Sequence, residues 1–318
     1  MSNHKNILVI KLSALGDFIQ AFGPMKAIRE HHPDAHITLL TTKPFEKFAR
    51  ASGYFNDIWL DDRPKWYTPL KWFALRKRLN AAKFHRVYDL QNSDRTSAYL
   101  KLFSPRPEWV GAAAGASHRN NAPSRTAGHA YDGHVETLGK AGVTNVEIDD
   151  LRWIEADIKT FGLQKPYVLL VPGCAPQHPQ KRWPAEKYGR LATMLTKLGY
   201  QPVLLGTAAE KDVTDIIANA CPSALNLTGQ TSLEQLVVLG RNAASAIGND
   251  TGPMHMIAPT GCPSLVLFSS HSNPIKHAPK GEHVKVLQES NLNDLTSETV
   301  AQEFKSRDIA KPKKLTTH

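Results

Sequence analysis

The chain alternates short runs of consecutive apolar residues with longer segments whose apolar residues return every three or four positions. Asn6–Leu12 (NILVIKL) reads as a strand. A Ser-Ala-Leu-Gly-Asp turn follows it, then one helix over Phe18–His32, with Phe18, Phe22, Met25 and Ile28 at helical spacing and Pro33 closing it. His36–Leu40 and Arg86–Leu90 read as further strands, with a basic helix between them. After a gap the rhythm restarts. Tyr167–Val171, Pro202–Gly206, Ala244–Gly248 and Ser264–Phe268 read as strands; Ala185–Leu198, Glu210–Ala220 and Leu233–Gly240 read as helices. Strand–helix–strand alternation of this kind predicts an α/β fold, with parallel sheets covered by helices on both faces.

The alternation forms two doubly wound, Rossmann-like halves. They predict domains over 1–160 and 161–318, with the last helix free to return to the N-terminal domain. Residues 112–134 interrupt the rhythm with small and polar residues, which predicts a long mobile loop. Residues 310–318 read as a frayed tail.

Composition narrows the class. Of 318 residues, 41% are hydrophobic and 21% charged, which excludes disorder of the whole chain and allows a core without staples. Cys174, Cys221 and Cys262 are far apart and make neither a disulfide framework nor a CxxC pair, which favours a reducing compartment. The first apolar run is too short for a signal-peptide core, and no run reaches the roughly 18 apolar residues of a membrane span. The expected location is cytoplasmic, with contact at a membrane surface left open. The formal net charge is +10. Much of the excess lies in residues 63–86, which hold eight Lys/Arg, no acidic residue, and Trp66, Tyr67, Trp72, Phe73 and Phe84. Such a stretch is either a solvated helix face or a landing strip for an anionic partner with aromatics for interfacial contact.

In open parallel sheets, ligands bind outside the carboxyl ends of the strands, so the strand-to-helix loops carry the candidate chemistry. Four stand out. Lys11–Asp17 has one glycine and cannot make a dinucleotide fingerprint; its Asp17 is either a helix N-cap or a general base. Pro172–Pro184 brings Lys181 and Arg182 to a helix start, as a phosphate cradle or as a Pro-rich loop with surface cations. Cys174 lies in that loop without nucleophile–base spacing. Gly248–His255 is a turn rich in Asn, Asp and Gly, able to offer N–H donors to an anion or simply to cap a helix. Leu204–Glu210 places Glu210 either for ribose hydroxyls or for the helix dipole. The fourteen histidines show no HExxH spacing and most read as surface residues; no metal site is expected.

Taken together, five stretches resemble the ADP-heptose:lipopolysaccharide heptosyltransferases of glycosyltransferase family nine. They are K-L-S-A-L-G-D at 11–17, P-G…K-R-W-P at 172–184, L-G-T-A-A-E at 205–210, L-T-G-Q-T-S-L-E-Q-L at 227–236 and N-D-T-G-P-M-H at 249–255. Their order and separation match over roughly residues 5–290. The stretch departs from the pattern between Gly173 and Lys181, where it is longer, carries Pro176 and Pro179, and has no Ser or Thr.

The resemblance implies a GT-B fold, two Rossmann-like domains facing a central cleft. It implies an inverting, metal-independent transfer of heptose from ADP-heptose to the inner core of lipopolysaccharide, with no cofactor. Asp17 matches the family's general base. Lys181, Arg182, Glu210, Asp250, Thr251, Gly252 and His255 match donor-binding positions in a C-terminal nucleotide-sugar domain. Arg63, Lys65, Arg76, Lys77, Arg78 and Gln91 fall in its N-terminal acceptor-side region. The implied partners are a nucleotide-sugar donor, an anionic glycolipid and the inner membrane's cytoplasmic face, with no nucleic acid. Two alternatives remain at this stage: a related nucleotide-sugar transferase with another sugar or acceptor, and a non-enzymatic anion-binding protein. The second lacks any helix-turn-helix, zinc or RNP signature.

Overall fold

In the computed structural model the described residues are 5–174 and 177–306. Pro176 and the 310–318 tail noted above lie outside them. The chain divides into two compact units, Met1–Asp149 and Asp150–His318. Residues 150–160, assigned to the first half on sequence, go with the second because that unit holds their backbone. Arg241 donates to Leu151 O (2.7 Å) and Ile154 O (3.2 Å), and Gln235 donates to Asp157 O (2.9 Å).

The first unit runs β1 (Asn6–Ile10), α1 (Leu15–Gln20), α2 (Phe22–His31), β2 (His36–Thr41), α3 (Glu46–Ser52), β3 (Asp57–Leu60), α4 (Pro69–Ala81), β4 (Arg86–Asp89), α5 (Asp94–Leu100), β5 (Glu108–Gly111), β6 (His118–Arg119), α6 (Ser124–Ala127) and α7 (Ala130–Gly139). Its six strands pair in parallel in the order β3-β2-β1-β4-β5-β6. The second unit runs β7 (Tyr167–Val171), α8 (Ala185–Lys197), β8 (Gln201–Leu204), α9 (Lys211–Ala220), β9 (Leu225–Asn226), α10 (Leu233–Asn242), β10 (Ser245–Asn249), α11 (Gly252–Ile257), β11 (Ser264–Ser269), α12 (Pro274–His277), β12 (Val284–Glu289) and α13 (Ser297–Ser306). Its parallel order is β12-β11-β10-β7-β8-β9.

Numbered from its own first strand, each sheet has the doubly wound order 3-2-1-4-5-6. The winding reverses between β1 and β4 in one unit and between β7 and β10 in the other. The loops leaving those four strands therefore frame a crevice in each sheet, where the fold favours ligands.

Burial explains the strand pattern. All five residues of β7 are buried, as expected for a central strand covered on both faces. Leu8, Ile10, Val87, Tyr99 and Trp109 form a core in the first unit. Val168, Leu170, Trp183, Tyr188, Ile247 and Leu265 form one in the second, joined by Val300, Ala301 and Phe304 of α13. Among the described residues the last helix thus packs on the second unit, against α8.

Several expectations change in structural terms. The single helix over Phe18–His32 is two, broken at Ala21. Pro24 has no N–H to give to Gln20 O, so one continuous ladder is impossible. Gly23 lies so close to the end of the unit that a Cβ there would sit 2.1 Å from Glu147 O. The stretch 112–134 is not a structureless loop: it holds β6, α6 and the start of α7. Buried Asn120 donates to Thr137 Oγ1 (3.0 Å), and α6 and α7 approach until a Cβ on Gly133 would sit 2.4 Å from Arg125 O. Strands β3 and β5 escape the apolar pattern because β3 is an edge strand with no buried residue and β5 offers only the pair Trp109 and Val110 as an apolar run.

Candidate functional site

At the first sheet's crevice, the loop after β1 is fixed from three sides. Gln91 Oε1, from the loop after β4, accepts from Leu12 N (2.8 Å) and Ser13 N (3.1 Å). Thr42 Oγ1 donates to Leu12 O (3.0 Å), and so does Arg63 Nη2 (2.7 Å). Arg63 itself has a left-handed backbone (φ 48), a region few non-glycine residues adopt. Its segment is tied down by Arg63 N to Asp61 Oδ1 (2.8 Å), Tyr99 OH to Asp61 Oδ2 (2.7 Å) and Arg95 Nη1 to Pro64 O (2.9 Å).

On this fixed loop Asp17 is exposed, in the first turn of α1. It is not the N-cap weighed above; Ala14 holds that position. Asp17 reaches back to it from three residues on, with Oδ2 3.4 Å from Ala14 N. A bond that long is weak, so the carboxylate is not consumed by capping.

Beneath the loop lie two buried charges. Lys11 Nζ donates to Leu90 O (3.2 Å), and burial lowers its pKa while Asp17 and Asp89 raise it. Asp89, at the end of β4, accepts on Oδ1 from Gln91 N (3.1 Å) and Asn92 N (2.8 Å). Burial nevertheless pushes its carboxyl from 3.8 to about 6, against the pull of those bonds and of Lys11. An Asp pKa raised in the folded state means that folding favours the protonated form. The stabilising contribution is full below the unfolded value and is lost as pH rises through about 6. Relative to Asp89→Asn, the wild type is therefore expected to lose about 2–3 kcal/mol of unfolding free energy between about pH 4 and pH 7, read from urea midpoints across that range.

The other acceptor-side residues divide. Arg78 stacks on Trp59, 4.1 Å from the ring centroid, and burial lowers its pKa. Lys65 Nζ lies 5.6 Å from the Tyr67 ring centroid. Arg76 and Lys77 are exposed on α4.

The second sheet's crevice gathers residues from four loops. Lys181 Nζ donates to Asp250 Oδ2 (2.8 Å) and to Ser272 Oγ (3.2 Å), and Ser272 Oγ donates to the same Asp250 oxygen (2.6 Å). The pair is largely buried, its side chains 19% and 8% exposed. Beside it, buried Asn249 joins the loop after β10 to the loop after β7. It donates to Pro172 O (2.7 Å) and accepts on Oδ1 from Trp183 N (3.1 Å) and Tyr188 OH (3.1 Å).

Glu210 closes the group. Its Oε2 accepts from Thr207 N (2.8 Å) and Thr207 Oγ1 (2.5 Å), a capping box at a short 3-10 turn. The carboxylate then lies over Gly173, where a Cβ would meet Glu210 Cγ at 2.7 Å. Only glycine at 173 admits that approach.

Arg182 turns to Cys174, donating to its Sγ (3.3 Å) and carbonyl oxygen (3.1 Å). With Gln180, Trp183, His271 and Asn291 it borders a cavity of about 540 Å³ whose wall excludes Lys181, Glu210 and Asp250. Thr251 and Gly252 open α11, and His255 is buried within it. His129 and His134 are buried too, whereas the other described histidines are partly or fully exposed, as expected for most of them. Among the described residues no three His, Cys, Asp or Glu side chains group as a metal site.

The sequence reading passed over Ser272 and the part played by Asn249. The available signal was topological. Asn249 ends β10 and Ser272 follows β11, neighbouring strands of the same parallel sheet, so both lie at the edge that carries Lys181.

A family profile described as glycosyltransferase family 9 (heptosyltransferase) matches residues 72–305. The chain is 24% identical to the lipopolysaccharide core heptosyltransferase OpsX of Haemophilus influenzae, over 97% of this chain and 88% of that one. It is 36% identical to lipooligosaccharide heptosyltransferase 2 of the same organism, over 40% of this chain but only 37% of that protein's length. The solved structure of E. coli ADP-heptose LPS heptosyltransferase II superposes with a TM-score of 0.73 at 20% identity, over 95% of this chain and 98% of that one. The GT-B fold class read from the sequence is the fold observed, two doubly wound six-stranded parallel sheets.

Proposed function

The chain belongs to glycosyltransferase family 9, and from that premise we propose that it transfers heptose from ADP-heptose to a hydroxyl of the lipopolysaccharide inner core, with inversion and without a metal. The observation that carries the donor half is the meeting of Lys181, Asp250 and Ser272 at the crevice of the second sheet, with Glu210 held over Gly173 in the loop after β7. A lysine ammonium has three donors. Among the described residues two of them go to Asp250 and Ser272, which aim the group and leave one donor for a phosphate oxygen. Glu210 Oε2 is spent on Thr207, and among the described residues its second oxygen is left for a ribose hydroxyl.

In this reading the second unit holds the donor and the first holds the acceptor. As the glycosidic bond breaks, negative charge gathers on the departing ADP. A cation already oriented toward it lowers the barrier without reorganising during the reaction. Asp17 takes the proton of the acceptor hydroxyl as its oxygen attacks the anomeric carbon. A direct displacement on the face opposite the leaving group inverts that centre. Asp250 keeps Lys181 in place, and Asn249 keeps the two loops in register.

Calorimetric titration tests the donor assignment. ADP-heptose and ADP are expected to bind, with UDP-glucose weaker by about 100-fold or more, since a site built to hydrogen-bond one base leaves polar groups unpaired with another. Preferential binding of UDP-glucose would instead favour a related transferase with a different donor.

A further inference from the structure

We propose that Asp89 is a positioning residue for transfer: buried beneath the loop of Asp17, its carboxylate pins that loop through Gln91 and balances the Lys11 charge that faces Asp17. This rests on the reading of Asp17 as the base that takes the acceptor proton. Asp89 ends β4, in register with Ile10 at the end of β1. One of its oxygens, Oδ1, accepts both N–H groups of the turn that follows, from Gln91 (3.1 Å) and Asn92 (2.8 Å). Asn92 turns the chain with a left-handed backbone (φ 48). The turn then reaches the loops of both neighbouring strands. Gln91 Oε1 accepts from Leu12 N and Ser13 N after β1, and Asn92 Oδ1 accepts from Ala112 N (2.7 Å) after β5. Packing leaves little slack: a Cβ on Gly111 would sit 3.0 Å from Asp89 Cβ and 3.1 Å from Asn92 Oδ1.

Hydrogen bonding alone does not require an acid here, since the amide oxygen of asparagine would accept the same two N–H groups. The acid costs the fold stability at neutral pH, where burial resists its ionisation. What the charge adds acts on Lys11. That side chain is 4% exposed, and its Nζ donates to Leu90 O (3.2 Å). Asp17 and Asp89 are the carboxylates that face it, and both favour its charged form against burial. His134, buried on α7, faces the same cation and is held neutral by burial and by Lys11. Thr96 of α5 faces Asp89 and carries no charge. With Asp89 ionised, the Lys11 charge is already matched. With Asp89 protonated, Lys11 pulls on Asp17 alone, and a carboxylate held by an uncompensated cation is a weaker base. Asp89 ionises as pH rises through about 6, so transfer rises over the same interval.

The test compares heptose transfer from ADP-heptose by the full chain, from about pH 5 to about pH 8.5, in the parent, Asp89→Asn and Asp17→Asn. Parental kcat is expected to rise through about pH 6. Asp89→Asn should lack that rise and turn over at least about fivefold more slowly above about pH 7. Its donor affinity should stay within about twofold of the parent's. Hydrogen exchange across residues 11–17 should also match the parent, because asparagine keeps the bonds to Gln91 N and Asn92 N. The proposal is overturned if Asp89→Asn transfers at the parental rate above about pH 7 or keeps the rise near pH 6. It is also overturned if slower turnover comes with faster exchange across residues 11–17, which would make Asp89 a support of the fold alone. Asp17→Asn tells the two assignments apart. Normal transfer by that variant ends the base assignment and this proposal with it, whereas normal transfer by Asp89→Asn alone ends only this proposal. A parent that transfers nothing from ADP-heptose ends both.

Discussion

Asp17→Asn is expected to lower the rate of heptose transfer by about 10²–10⁴-fold, the range a positioned general base contributes, while ADP-heptose affinity changes by no more than about twofold. The choice of asparagine separates two roles. If Asp17 serves the fold by accepting from Ala14 N, the amide oxygen of asparagine does the same work, and the variant turns over like the wild type. If Asp17 takes a proton, asparagine fails as completely as alanine. The geometry favours the second outcome. At 3.4 Å the bond to Ala14 N is long, and the loop does not depend on it. Gln91, Thr42 and Arg63 already satisfy the Leu12 and Ser13 backbone. Single-turnover rates, donor titration and melting temperature together decide the matter. A fully active Asp17→Asn enzyme with normal stability would end the base assignment.

What could be read from the sequence was what is local. Continuous apolar runs such as Tyr167–Val171 announce central strands because burial on both faces demands them. Once strands alternate with helices, the functional loops follow from the rule that parallel sheets bind ligands at one edge. Lys181, Glu210 and Asp250 all lie in such loops.

What could not be read is what long-range packing decides. Asn249 looks like a turn residue, yet its partners Pro172, Trp183 and Tyr188 are 61 to 77 positions away along the chain. Ser272 has no local mark at all. Gly173 carries no local mark of its role, which is to give Glu210 room. Gln91, placed among acceptor residues on sequence, spends its side-chain oxygen holding the Asp17 loop. The break at Ala21 was available in principle, since Pro24 lacks the N–H an unbroken helix needs. Amphipathic spacing across Phe18, Phe22, Met25 and Ile28 masked it.

Lys181→Ala is expected to reduce turnover by about 10²–10³-fold, the cost typical of removing one preorganised group that meets developing charge. The same change also disturbs the fold, and the two effects must be told apart. Removing the ammonium leaves Asp250, 8% exposed, with its counter-ion gone. Breaking a buried pair from one side costs several kcal/mol. Here Ser272 still donates to the orphaned oxygen and Lys181 is itself a fifth exposed, so about 2 kcal/mol is the expected loss. The double variant Lys181→Ala/Asp250→Asn removes the unpaired charge. If Lys181 exists only to balance Asp250, both stability and turnover should return with the second substitution. If it meets the diphosphate, the urea midpoint recovers while the rate stays low and ADP binds more weakly than to the parent. Recovery of the rate in the double variant would remove Lys181 from the donor site and leave it a counter-ion.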